Sequence, residues 1–256
     1  MLKIGVCVKA VINPETFDPK KYKDVLRLDE ASRIPNECDR YAVQEAVKLR
    51  EHYGGEVIVI SVGSKYVMET IYDSLARGAD KAIHIDYKEP FPEDPFLTAS
   101  LIYRVVKEMR FDLIMCGAES VDNATSMTPA ILSELLGFSY IWGAKKIKGI
   151  ADGKIALYRE VTSSLIEELE IKLPAVLAVQ SGADELRYVS FAALRAASKK
   201  EIKTVSPEIC GAEIIRLWNI KAIYLPLFEK KAIIIEGNEE EVAKKFTKIL
   251  REMGVF

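Results

Sequence analysis

Residues 112–137 read DLIMCG, AESVDNATSMT, PAILSELLG, and the fold class follows from them. Leu113–Cys116 is an apolar run of strand length, entered from Asp112 and ended by Gly117. Apolar residues at Ile131, Leu132, Leu135 and Leu136 have the spacing of one helical face. Pro129 suits the first turn of that helix, where no N–H is required, and Gly137 suits its end. Strand, polar loop and helix in this order make the repeating unit of an open α/β sheet, in which ligands bind beyond the carboxyl ends of strands. The loop comprises Gly117, Ala118, Glu119, Ser120, Val121, Asp122, Asn123, Ala124, Thr125, Ser126, Met127 and Thr128. Small and hydroxyl-bearing residues ahead of a helix present N–H groups and the positive end of a helix dipole, which suits phosphate. An ordinary connection that binds nothing has the same pattern, so the stretch alone leaves both readings open.

The chain on either side repeats the alternation. Leu2–Val11 reads as a strand containing Gly5, and residues 12–35, rich in Pro, Lys and Asp, predict a long excursion above its end. Asn36–Asp39 opens a helix that runs through Ala42, Val43, Ala46, Val47 and Leu49 to Gly54–Gly55, with Asn36 or Asp39 as N-cap. Glu56–Val62 is an unbroken β-branched run, the mark of a strand buried on both faces. A helix through Val67, Ile71 and Leu75 to Gly78, a strand at Lys81–Ile85, an acidic loop over Tyr87–Pro95 and a helix from Phe96 to Met109 follow. Strands alternating with helices predict a mostly parallel sheet with helices on both faces and right-handed crossovers. Strand order is not legible.

Beyond Phe138 the pattern changes. Trp142–Ile150 and Lys154–Val161 flank Asp152–Gly153, a hairpin signal. Leu165–Lys172 alternates apolar residues with Glu and Lys, a third antiparallel strand with one wet face, and Pro174–Val179 is a further apolar strand. This meander is expected to extend the sheet at an edge. Gly182–Tyr188 is a polar loop and Val189–Ser198 a short helix. Residues 1–202 are expected to form the α/β domain. Residues 203–256, with a strand-like run at Ala232–Ile235 and a helix at Glu239–Met253, are too sparse for a core of their own. They are expected to pack on the domain or on a partner.

A net charge of −2 over 256 residues argues against a nucleic-acid surface, and a local basic run at Lys199–Lys200 with Arg195 nearby is too small to overturn that. The cysteines at 7, 38, 116 and 210 are far apart in sequence with no CxxC, so neither a disulfide framework nor a zinc site is suggested. His52 and His84 are too few for a His-based triad or a multi-His metal centre. The N-terminus is no signal peptide and no segment approaches membrane-spanning length, so a reducing, cytoplasmic location is expected. GxxxxGK[ST], a GxGxxG after the first strand, GxSxG, HExxH and EF-hand loops are all missing from the sequence. Glu167, Glu168 and Glu170 read as charges that discourage pairing at an edge strand. Composition and patterning thus describe an α/β nucleotide-type fold with no catalytic residue and no metal ligand in evidence.

Six segments, in order, carry a family resemblance: VCVKAV at 6–11, IPNECDRYAVQEAVKLRE at 34–51, EVIVISVGSKYVMETIYDSLARGADKAIHI at 56–85, GAESVDNATSMTPAILSELLG at 117–137, DELRYVSFAALRAASKK at 184–200 and LREMGVF at 250–256. Together they resemble the beta subunit of electron transfer flavoproteins. The resemblance implies a Rossmann-like adenine-nucleotide fold and an alpha-subunit partner that carries the redox-active FAD. It also implies a nucleotide buried in this chain: AMP in simple carriers, or a second FAD reacting with NADH in electron-bifurcating members. By the same resemblance Cys7 and Lys9 stand at the first strand end, Asn36, Glu37, Cys38 and Asp39 at the adenine and ribose, Val62 at the second strand end, and residues 117–128 around the phosphate. Glu185, Leu186, Arg187, Tyr188, Phe191 and Arg195 fall in the family's partner-docking loop. Such a subunit carries electrons from dehydrogenases toward a quinone oxidoreductase and does no bond chemistry itself, unless it is of the NADH-oxidising, bifurcating kind.

The chain departs from the family pattern at the phosphate loop. Asp122 and Thr125 stand in the usual Asp-Gly-Asp-Thr run, but Asn123 and Ala124 replace neighbours, Met127 takes the place of a glutamine, and Glu37 that of a proline. Methionine donates no hydrogen bond, so the backbone N–H groups must carry more of any phosphate contact. Two rivals share the fold class. A stand-alone adenine-nucleotide sensor of stress-protein type needs no docking loop or extension. An ATP-pyrophosphatase-type enzyme needs a Ser-Gly-Gly loop after the first strand, where this chain has CVKAV.

Overall fold

The computed structural model describes residues 1–18, 31–87, 94–162, 164–182, 185–206 and 232–255. Cys210, residues 19–30 of the expected 12–35 excursion, 88–93 of the 87–95 loop, and 207–231 and 256 of the 203–256 extension lie outside the described residues.

The first strand is shorter than its apolar run suggests. β1 (Leu2–Cys7) stops where Val8 and Lys9 leave the sheet, and β2 (Ala10–Ile12) pairs antiparallel with β3 (Arg33–Pro35) as a separate ribbon. The cause is polar: the Lys9 N–H donates to the Asp39 carboxylate at 2.7 Å, and a side chain there replaces a strand partner. α1 (Glu37–Tyr53) follows, ended by Gly54 at φ +71°. β4 (Gly55–Val62) shows why its run is unbroken: Val57 and Val59 feed the core on one sheet face, Ile58 and Ile60 the core on the other. α2 (Met68–Ala76), β5 (Lys81–Ile85), α3 (Pro95–Val106), β6 (Leu113–Gly117) and α4 (Thr128–Leu136) continue the alternation. The helix expected to reach Met109 ends at Val106.

β7 (Ser139–Ala151), β8 (Lys154–Thr162) and β9 (Leu165–Lys172) form the antiparallel meander. Asp152 and Gly153 both take positive φ, +50° and +70°, the requirement of a tight hairpin turn. β9 is the outer strand, and Glu167, Glu168 and Glu170 meet Arg159, Lys148 and Lys154 across the ladder from β7 and β8. β10 (Ala175–Val179) corrects the expected edge placement: it lies between β6 and β7, parallel to both and buried throughout. Its five consecutive apolar residues match that interior slot.

After α5 (Phe191–Ala197), β11 (Ile202–Val205) pairs parallel with β5, so the main sheet reaches further along the chain than the sequence indicates. The sheet order is β11-β5-β4-β1-β6-β10-β7-β8-β9. One compact unit spans Met1–Ile223 and a second Tyr224–Phe256. In the second unit Ala232–Ile235 is not a strand, and α6 (Glu239–Glu252) is the regular element among its described residues. α6 is capped by the Asn238 carboxamide and carries Val242, Phe246, Ile249 and Leu250 along one side.

Candidate functional site

The carboxyl ends of β4, β1 and β6 open into a cleft of about 920 Å³, mouth included, bounded by the first turns of α3 and α4. One buried carboxylate knits its floor. Asp39, in the first turn of α1, accepts from the Lys9 N–H at 2.7 Å, the Gly117 N–H at 3.0 Å and the Asn36 side-chain amide at 3.0 Å. The ends of β1 and β6 and the start of α1 are thereby fixed to one another. Burial raises the Asp39 pKa to about 6, while those three hydrogen bonds and the Lys9 charge oppose the shift. Gly117 is obligatory for a steric reason, since a Cβ there would stand 2.2 Å from Asp39 Oδ1.

Asn36 precedes α1 as expected, but its side chain does not cap the helix. Its Nδ2 donates to the Glu119 carbonyl at 2.8 Å and to Asp39, which leaves Oδ1 buried in the cleft wall with no hydrogen-bond partner. An orphaned acceptor in a residue only 1% exposed is costly unless a ligand donor meets it.

The loop after β6 is held from behind. Lys9 Nζ pairs with Asp122 Oδ1 at 2.7 Å and lies 3.4 Å from Ser120 Oγ, and Asp122 Oδ2 also accepts from the Ile12 N–H. The Ala124 N–H closes a turn onto the Ser120 carbonyl. Ala124 and Ser126 then adopt left-handed φ values of +48° and +53°, unfavourable for residues with a side chain. Among the described residues, the N–H groups of Thr125, Ser126, Met127 and Thr128 donate to no other protein group. Met127 occupies the N-cap of α4 and provides no side-chain cap, so the helix end itself remains available to an anion.

Of the residues expected at a nucleotide, Cys7, Lys9, Asn36, Asp39, Val62, Gly117, Ala118, Glu119, Ser120, Asn123, Thr125, Ser126, Met127 and Thr128 line this one cleft. Glu37, Cys38, Val121, Asp122 and Ala124 do not; Asp122 serves as the rear anchor, and the Cys38 thiol, pushed up by burial, lies against the backbone of Glu119 and Ser181. Sequence reasoning missed Ile60, Gly63, Tyr66, Tyr87, Thr98 and Ile102. Gly63 directly follows the strand that supplies Val62, which was signal enough; Tyr87 and Thr98 come from other connections and gave none. The lining thus has two ends, a polar loop with open N–H groups and a wall of aromatic and aliphatic side chains. It fits an adenosine phosphate.

A second surface follows β10. Gln44 Nε2 donates to the Glu185 carbonyl at 2.9 Å, and the Arg187 N–H donates back to Gln44 Oε1 at 2.7 Å. The Arg187 guanidinium makes two 2.7 Å bonds to Glu51, whose carboxyl is held below its usual range by that contact, and Arg77 donates to the Arg187 carbonyl. With the backbone pinned this way, Tyr188 stands 90% exposed and Phe191, at the start of α5, 77% exposed. The Ser190 Oγ caps α5, and the Arg195 guanidinium lies 5.9 Å from the Phe191 ring centroid. Phe191 therefore does not pack inside its own helix. Lys200, from the short basic run, donates to the Leu75 and Ala79 carbonyls at the end of α2, a structural role.

Among the described residues no helix is long and apolar enough to cross a membrane. Residues 25–209 match the family model described as the electron transfer flavoprotein domain. Similar proteins include "Electron transfer flavoprotein subunit beta" of Mycobacterium bovis, 32% identical over 83% of this chain and 82% of that protein. The protein of the same name from Methylophilus methylotrophus is 29% identical over 85% of each chain, and that from Bacillus subtilis 27% identical over 94% of this chain and 96% of the other.

Proposed function

The chain belongs to the beta-subunit family of the electron transfer flavoproteins, and on that premise we propose that it binds an adenine nucleotide in the cleft and docks dehydrogenases through the 185–195 surface. The observation that carries this reading is the pairing, in one cleft, of a buried acceptor without a partner at Asn36 with four open N–H groups at residues 125–128. A donor such as a base amine or ribose hydroxyl satisfies the first; phosphate oxygens satisfy the second. AMP is the occupant we assign, with the apolar wall of Ile60, Tyr66 and Ile102 for its base.

The work of this chain's own residues is positional. Asp39 and the Lys9–Asp122 pair keep the loop in its left-handed shape before a ligand arrives, so binding costs little reorganisation. Tyr188 and Phe191 offer rigid aromatic area beside Arg195, the makeup of an interface hot spot. The apolar side of α6 suits an alpha-subunit surface. When bound, the flavin held with the alpha subunit supplies the electron carriage. Co-expression with an alpha subunit tests the proposal. A one-to-one complex with flavin absorbance, reducible through a partner dehydrogenase, is expected; a chain that stays monomeric and binds nucleotide alone would favour a sensor instead.

A further inference from the structure

Two of the four cysteines, 109 residues apart in sequence, meet in the fold. β1 and β6 pair in parallel with Ile4 opposite Leu113, Gly5 opposite Ile114 and Val6 opposite Met115. One further step in the same register sets Cys7 opposite Cys116. Both side chains lie on the same sheet face, in the core shared with Ile60, Ile114 and Leu132, and both line the floor of the cleft. The two side chains are close enough that Cys7 is the leading cause of the raised Cys116 thiol, ahead of burial. Neighbouring strands run about 4.8 Å apart, within the roughly 4.4–6.8 Å that a disulfide needs between its Cα atoms. Both are free thiols in the structure.

We propose that Cys7 and Cys116 are a redox-active thiol pair that hydrogen peroxide, small enough to enter the cleft, converts to a disulfide. In the first step the Cys7 sulfur attacks peroxide: an S–O bond forms, the O–O bond breaks, and water leaves with the Cys7 proton. In the second the Cys116 sulfur attacks the Cys7 sulfenic acid: the S–S bond forms, the S–O bond breaks, and a second water leaves with the Cys116 proton. The two thiols lose two electrons and two protons, and one peroxide becomes two waters. The order of attack follows from the pair's asymmetry. Cys7 is the more exposed of the two, 9% against 5%, so peroxide entering from the cleft meets its sulfur first, while contact with Cys7, then burial, raises the Cys116 thiol. Cys38 faces the backbone of Glu119 and Ser181 instead, outside the cleft lining, and takes no part.

The test is peroxide treatment of the purified full-length protein with its co-purifying subunit, followed by denaturing alkylation, digestion and mass spectrometry. The expected product is one cross-linked peptide pair joining Cys7 to Cys116, two hydrogens lighter than the separate peptides and restored by dithiothreitol. In the Cys116→Ser variant the cross-link disappears and dimedone traps a sulfenic acid on Cys7; in Cys7→Ser, Cys116 stays alkylatable. Full alkylation of both residues in the wild type would overturn the proposal. So would a wild-type Cys7 that passes to the sulfinic acid without cross-linking, or the same cross-link yield from chain denatured before oxidation.

Discussion

The loops that follow β6 and β10, two neighbouring parallel strands, are built alike and used in opposite ways. Each has its backbone fixed by side chains from elsewhere: residues 117–126 by Lys9, Asp39 and Asn36, and residues 185–187 by Gln44, Arg77 and Glu51. The first loop lines a cleft with residues 125–128, whose N–H groups donate to no other protein group among the described residues. The second stands out from the sheet and turns two aromatic side chains to solvent. The comparison teaches that rigidity and chemistry are set separately here. Polar anchors hold both segments, and the residues left over decide whether a segment suits a small anion or a protein surface.

The largest effect is expected where the cleft loop meets its anchor. Gly117→Val drives a side chain onto Asp39, and a loss of about 3 kcal/mol in urea unfolding is expected, with nucleotide content falling in parallel. A comparable effect is expected from pH. The Asp39 carboxyl titrates near 6 in the folded chain against 3.8 in the reference state. The folded state therefore binds this proton more tightly, and the stability it contributes is full below pH 3.8 and lost as pH rises through about 6. Stability measured relative to Asp39→Asn should fall by about 3 kcal/mol between about pH 4 and pH 7. A flat difference would mean that the anchor is not a titrating carboxylate.

On the outward loop, Phe191→Asp should leave nucleotide content unchanged and slow electron transfer with the partner about 30-fold, the worth of a hot spot of about 2 kcal/mol. Unchanged kinetics would remove the docking role. Thr125→Leu should do the converse, lowering nucleotide retention about tenfold while the Tyr188–Phe191 surface keeps its geometry. Any variant that moved both readouts equally would break the separation of the two loops.

Much of this was legible in the chain. The β6–α4 unit, the hairpin at Asp152–Gly153 and α1 follow from local pattern, because period, caps and turn residues are short-range signals. Strand order depends on pairing between distant segments, so the interior position of β10 and the addition of β11 were not. The same limit explains the site. The Gly117–Thr128 loop announces itself by composition, whereas the anchoring of Lys9 by Asp122 joins residues 113 apart. Cys7 ends β1, at GVC, and Cys116 is the next-to-last residue of β6, at IMCG, but only the adjacency of β1 and β6 makes them a pair. The exposed run at Ile233 and Ile234 shows the reverse error, a β-branched pattern with no strand to join.

The central claim is that the cleft between β4, β1 and β6 holds an adenine nucleotide. It is tested most directly by denaturing the purified protein with its co-purifying subunit and identifying the released nucleotides by chromatography. AMP and one FAD per heterodimer are expected. Two FAD and no AMP would assign this cleft to a second, NADH-reactive flavin, and release of no nucleotide beyond the alpha subunit's flavin would contradict the account.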